Sequence, residues 1–192
     1  TPAQAAIPAR SDFNGDGYSD LAVGIPGRKV GGAPEAGAVQ VMFGSSAGLS
    51  RTQLWSQDTP GVIGQSQGND RFGTALAIGD FNCDGFADLA VGVPDENISS
   101  SAADAGAVNV LYGSRSGLTA TGNQEWDQGR SGVDGDPTDG DRFGAALAGG
   151  DYNGDGCSDL AVGAPGESVS GFDGAGAVNV LYGSRSGLSA TG

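Results

Sequence analysis

Three stretches of this chain carry the residue types of a site for a hard cation. They read Asp-Phe-Asn-Gly-Asp-Gly-Tyr-Ser-Asp at 12–20, Asp-Phe-Asn-Cys-Asp-Gly-Phe-Ala-Asp at 80–88 and Asp-Tyr-Asn-Gly-Asp-Gly-Cys-Ser-Asp at 151–159. Calcium takes about six to eight oxygen ligands at roughly 2.3–2.6 Å. Each stretch offers side-chain oxygens at its positions 1, 3, 5 and 9 and a main-chain carbonyl at position 7. In the first these are Asp12, Asn14, Asp16 and Asp20 with the carbonyl of Tyr18. In the second they are Asp80, Asn82, Asp84 and Asp88 with the carbonyl of Phe86, and in the third Asp151, Asn153, Asp155 and Asp159 with the carbonyl of Cys157. Position 6 is Gly17, Gly85 or Gly156, where the sharp turn of such a loop asks for a positive φ. An EF-hand would continue to a glutamate at position 12 and lie between helices. Here position 12 is Val23, Val91 or Val162, and the residues after each loop read as strand. A metal-free turn rich in Asn, Asp and Gly would account for one such stretch, but not for the same five positions three times over. The expectation is three calcium sites.

The elements that must position these loops are repeated with them. The loops begin 68 and then 71 residues apart, and each runs directly into Leu-Ala-Val-Gly. Trp55 recurs as Trp126, and Asp70-Arg71-Phe72-Gly73 as Asp141-Arg142-Phe143-Gly144. Gly-Ala-Val-Asn-Val-Leu-Tyr-Gly-Ser-Arg-Ser-Gly-Leu stands unchanged at 106–118 and 176–188, with a first version at 37–45. The middle repeat divides into four strand candidates, 72–80, 88–94, 106–113 and 123–128, rich in Val, Ala and Leu and separated by Gly, Ser and Asp. No long stripe of period 3.6 supports a helix. Four antiparallel strands in a unit of this length make a β-propeller blade. The expected fold is all-β, with about three blades at 1–58, 59–128 and 129–192.

Composition narrows the function. The formal charge is −14, and nine of the 23 acids lie in the three loops, so three bound calcium ions would cancel six of the negative charges. The nine basic residues are scattered singly, which argues against nucleic-acid binding. No apolar run approaches the length of a membrane span. Thirty-seven glycines and a single lysine, Lys29, suggest an extracellular, secreted bacterial protein, and extracellular calcium suits loops of this kind. The two cysteines, Cys83 and Cys157, stand at position 4 of the second loop and position 7 of the third. A disulfide forms between them if neighbouring repeats set these loops side by side. Free thiols and an intermolecular bridge are the other arrangements.

The pairs Phe72-Gly73 and Phe143-Gly144, the Asp-x-Asn-x-Asp-Gly-x-x-Asp loops, and Gly163-Ala164-Pro165 with its variants Gly92-Val93-Pro94 and Gly24-Ile25-Pro26 resemble the FG-GAP repeat of integrin α-subunit propellers and related bacterial proteins. The resemblance covers nearly the whole chain. It implies that the calcium loops join the first and second strands of each blade on the lower rim, and that ligand binds on the opposite rim. Two departures stand out. The first repeat has no Phe-Gly before its loop, so its first strand is short or atypical, and the third stops at Gly192 before a Trp-bearing fourth strand. Closed propellers need about four blades or more. The chain is therefore expected to be part of a longer propeller, to self-associate, or to dock on another chain.

An enzyme is not expected. Histidine is absent, which removes His-based triads and His-ligated zinc. The four glutamates, Glu35, Glu96, Glu125 and Glu167, fall in variable connections. The favoured reading is a calcium-binding module for adhesion to, or recognition of, a protein or glycan. Its contact surface would be the connections 27–36, 58–71, 95–105, 129–142 and 166–175. The alternative is a calcium-stiffened structural module of a larger secreted enzyme or assembly. Trp55 and Trp126 are expected to pack blades, and Asp134, Asp136, Asp139 and Asp141 to form a solvated acidic loop or a fourth cation site.

Overall fold

The computed structural model describes residues 11–191. Its ten strands form three antiparallel sheets, and the described residues contain no helix. The first sheet orders β1 (Leu21–Ile25), β2 (Ala38–Met42) and β3 (Thr52–Trp55). The second orders β4 (Leu76–Gly79), β5 (Asp88–Val93), β6 (Ala107–Tyr112) and β7 (Thr119–Trp126). The third holds β8 (Ala146–Gly150), β9 (Asp159–Ala164) and β10 (Ala177–Leu181). Each sheet is a meander whose neighbours in sequence pair in space, the pattern of partial propeller blades.

The period-2 geometry of a strand explains why the middle sheet is apolar on both faces. Leu89, Val91 and Val93 of β5 and Ala107 and Leu111 of β6 join a core shared with the first sheet. Ala90 of β5 and Val108, Val110 and Tyr112 of β6 join a second core shared with the third sheet. Both strands are consequently buried along their whole length. Phe13 and Phe72 fill the first core, Phe81 and Phe143 the second, all without exposure to solvent. Each such ring contributes roughly 1.5–3 kcal/mol by leaving water. Trp55 lies in the first core and Trp126 packs against the second, as expected of blade packing.

Three details differ from the expectation. The first strand of the middle repeat is only β4, because Phe72 and Gly73 form a turn instead of a strand. The Phe72 N–H donates to the Ala36 carbonyl of the preceding sheet at 2.9 Å, and Gly73 adopts a φ of 92°. That left-handed residue turns the chain before β4 begins. β7 starts earlier than position 123, at Thr119, which pairs with Tyr112 beyond a register shift in β6. Glu125 lies in β7 opposite Asn109, in keeping with the 123–128 strand candidate and not with a variable connection. The expected irregular first strand of the first repeat lies outside the described residues.

Candidate metal centre

Because strands alternate in direction, the connections between first and second strands all reach one rim. The loop 80–88 joins β4 to β5, 151–159 joins β8 to β9, and 12–20 leads into β1. The loops stand side by side. The Ala87 N–H donates to the Asp12 carbonyl at 3.1 Å, and the Ser158 N–H to the Asp80 carbonyl at 2.9 Å. Cys83 and Cys157 form a disulfide across the second and third loops, with their Cα atoms 5.3 Å apart. Of the three open arrangements of the thiols, the juxtaposition of loops selects the intramolecular one. Position 4 is left-handed in each loop, as Gly15, Cys83 and Gly154, with Cys83 at a φ of 55°.

The first and second loops are built alike. In the first, Asp12 accepts from the N–H groups of Asp16 (3.1 Å) and Gly17 (2.8 Å), and Asn14 Oδ1 accepts from Asp16 N–H at 3.0 Å. Asp16 Oδ1 accepts from Tyr18 N–H at 2.9 Å. Asp80, Asn82 and Asp84 repeat this set. In the third loop Asp151 accepts instead from Gly154 and Gly156, while Asn153 and Asp155 keep the pattern. These side chains curl over their own loop, as the alternation of Asx residues predicts. Tyr18, Phe86 and Cys157 contribute to the pattern only through their main chain.

The ninth position behaves differently. Asp20, Asp88 and Asp159 are buried, and each ties two segments together. Asp88 accepts from Phe81 N–H and from Gly113 N–H, both at 2.8 Å. Asp20 does the same with Phe13 and Gly44, and Asp159 with Tyr152 and Gly183. Burial pushes the Asp88 carboxyl up to about 7, and the nearby Asp84 and Asp80 charges push in the same direction. Burial likewise raises Asp20 and Asp80. Among the described residues no ion pair reaches a loop aspartate, and no three acidic, His or Cys side chains converge to metal-binding distance. Each loop thus gathers oxygen donors and negative charge with no basic partner. A carboxylate oxygen has two lone pairs, so one already accepting an N–H can still meet a cation. The donor types are those a hard divalent ion takes, while the described carboxylates do not converge on one point.

Asp88→Ala is expected to cost about 3 kcal/mol, because two N–H groups lose their acceptor in a fully buried place. Urea unfolding in chelator checks this against Asp84→Ala, which is exposed and should cost less than about 1 kcal/mol.

The family model of the FG-GAP repeat matches residues 5–42, 72–111 and 143–181. The chain belongs to the FG-GAP repeat family. The FG-GAP chain is 36% identical over 157 residues to phosphatidylinositol-glycan-specific phospholipase D of Bos taurus, covering 81% of this chain and 18% of that protein. It is also 36% identical over 157 residues to integrin alpha-PS5 of Drosophila melanogaster, covering 81% of this chain and 14% of that protein. Integrin alpha-3 of Mus musculus is 36% identical over 114 residues, 57% of this chain and 9% of that protein. The FG-GAP chain thus spans less than a fifth of each of these relatives. Among the described residues no helix is long and apolar enough to cross a membrane.

The opposite rim of the FG-GAP chain holds features that sequence reasoning missed. Gln57, just past β3, donates its amide N–H to Glu96 of the next repeat, and Gln128 does the same to Glu167. The signal was present in sequence: each glutamine stands two residues past a tryptophan and each glutamate two past a proline. Arg71 pairs with Glu35 and Asp95, and Arg142 with Asp95, so Asp95 is shared across a junction. Two of the four expected acidic-loop residues are structural. Asp141 is buried and accepts from the Thr138 hydroxyl at 2.8 Å, and Asp139 accepts from Ala103 N–H at 2.8 Å.

Burial raises the Glu96 carboxyl to about 7; Asp70 and Glu125 push it up further, while the Gln57 hydrogen bond opposes them. Arg130 stands nearby but is engaged by Glu125 and Asp127. A carboxyl whose folded pKa lies above its unfolded value stabilises fully below the unfolded value, and that stability is lost as pH rises through the folded one. Metal-free protein should therefore lose on the order of 2 kcal/mol between pH 5 and pH 8 through Glu96. Glu96→Gln should flatten that slope in urea melts across the range. The new amide can also donate to the buried Gln57 Oε1, which lacks a partner.

Proposed function

We propose that this chain is a calcium-binding, extracellular β-propeller module that recognises or adheres to a protein or glycan. Calcium would sit in the three acidic loops and ligand on the opposite rim. The observation that carries the first half is the threefold recurrence of one oxygen-rich loop, side by side on one rim, with no basic side chain among the described residues paired to it. The second half is supported by the resemblance to integrin α-subunits and by the connections 27–36, 58–71, 95–105, 129–142 and 166–175, which differ most between repeats. The repeat units are taken as 1–58, 59–128 and 129–192. A glycine-rich, lysine-poor composition supports secretion from a bacterium. No catalytic role is proposed for these residues.

Calcium's part would be mechanical: Asp12, Asn14, Asp16, Asp20 and the Tyr18 carbonyl, with their counterparts in the other loops, would hold the ion. Its two positive charges would offset two of the three carboxylate charges that otherwise repel one another. Calorimetric titration is expected to give three calcium sites per chain. Surface binding to panels of glycans and extracellular proteins, run in calcium and in EGTA, tests recognition. A ligand held in calcium and released in EGTA supports the reading. No ligand on either panel favours the second reading, a structural module of a larger secreted enzyme. That reading has its own support, since the chain matches less than a fifth of a phospholipase D.

A further inference from the structure

On the rim of the acidic loops the two junctions between repeats are built alike. In the first, the Gln53 amide donates to the Leu118 carbonyl and accepts from Leu118 N–H, both at 3.1 Å. In the second, Gln124 does the same with Leu188 at 3.1 and 3.0 Å. Gly117 packs against the Phe43 ring and Gly187 against Tyr112, so closely that a Cβ on either glycine would overlap its aromatic neighbour. The first junction has one further contact. Arg51 stands opposite Phe43, whose N–H donates to the Arg51 carbonyl at 2.8 Å. Its guanidinium lies 4.3 Å from the centroid of the Phe43 ring and donates to the Ser116 carbonyl of the next repeat. A cation over an aromatic face thus bridges the two repeats.

The second junction keeps the ring and the carbonyl but lacks the cation. Opposite Tyr112 stands Thr119, followed by the register shift that separates it from Gln124. Tyr112, Thr119, Thr121 and Ser186 line a cleft of about 330 Å³, at the small end of ligand pockets. The Ser186 carbonyl, the counterpart of Ser116, receives no hydrogen bond among the described residues. Asp84 also lines the cleft and forms no ion pair among the described residues. Arg185 does not disqualify the cleft for a positive group. It holds the place of Arg115, whose neighbour Ser116 already receives Arg51.

We propose that this cleft binds a guanidinium group, that of an arginine side chain on a partner protein. The group would lie over the Tyr112 ring, donate to the Ser186 carbonyl and pair with Asp84. A guanidinium is planar and presents its donors in one plane, so it can stack on a ring and bond at its edge together, which an ammonium cannot. Free arginine shares this chemistry, but its α-carboxylate meets a chain of formal charge −14, whereas an arginine within a polypeptide has lost that charge to an amide. The site needs neither bound calcium nor the opposite rim, so it stands apart from the function proposed above.

The test is a heteronuclear NMR titration of the chain with N-acetyl-arginine N-methylamide, run in EGTA so that Asp84 is free of metal. Saturable shifts are expected at the amides of Thr119, Thr121 and Ser186. The citrulline analogue, similar in shape but uncharged, should bind roughly tenfold more weakly or worse, and the lysine analogue about threefold more weakly. Thr119→Arg should supply from within what Arg51 supplies at the first junction, and so abolish binding at a melting temperature no lower than that of the parent. Tyr112→Phe, which keeps the ring, should change binding by less than about twofold. The proposal is overturned by an absence of shifts at those amides, by equal binding of the citrulline analogue, or by unchanged binding in Thr119→Arg. Tighter binding of free arginine than of the blocked form would overturn the assignment to a protein side chain.

Discussion

Excess EGTA is expected to lower the melting temperature of the chain prepared in calcium by roughly 15–30 °C. The magnitude follows from linkage. A ligand that binds only the folded state, at a hundredfold excess over its dissociation constant, adds about 2.7 kcal/mol per site. Three sites add about 8 kcal/mol, and each kcal/mol shifts the melt of a chain of this size by roughly 2–4 °C. The structural reason is local. Burial raises the proton affinity of Asp80 and Asp88, the Asp84 charge raises both further, and Asp88 is withdrawn from solvent with no basic side chain among the described residues paired to it. Calcium would remove that repulsion where the loop enters β5, the centre of both cores. Differential scanning calorimetry in calcium, in EGTA and after calcium is restored reads the effect. A melt that does not move across these conditions removes the metal assignment at all three loops.

Replacing both cysteines by serine is expected to lower stability by about 4 kcal/mol, or roughly 10 °C in the melt. The bridge closes a loop with a sequence separation of 74, so its loss returns considerable freedom to the unfolded chain. It also joins the second acidic loop to the third, so the effect has a geographical signature. Calcium affinity should fall at the 80–88 and 151–159 loops and hold at 12–20, which the bridge does not touch. Thermal melts of the double variant give the stability, and calcium titrations resolve the sites. Loss of stability with all three affinities unchanged would mean that the bridge acts on the unfolded chain alone. An unchanged melt would mean that packing between the sheets already restrains both loops.

The acidic loops, the repeat and the all-β architecture were legible in the residues because each depends on local order. Alternation along β5 and β6, glycine at each sharp turn and Asx side chains reaching their own backbone are satisfied within a few residues. The disulfide was legible as one of three arrangements, since both cysteines lie in equivalent loops. The inter-repeat contacts were not. Phe72-Gly73 reads as the start of a strand until the carbonyls of Glu35 and Ala36 receive its N–H groups from the preceding sheet. Thr119 reads as part of a loop until pairing with Tyr112 of β6 draws it into β7. Asp88 looks like Asp84 in sequence, yet one is buried under two main-chain N–H groups and the other is exposed. Residue order was enough to show which segments repeat and what chemistry they offer. Which carboxylates lose water, which cysteines meet and which cleft between repeats is left open emerged on folding, because burial and partnership depend on segments far apart along the chain.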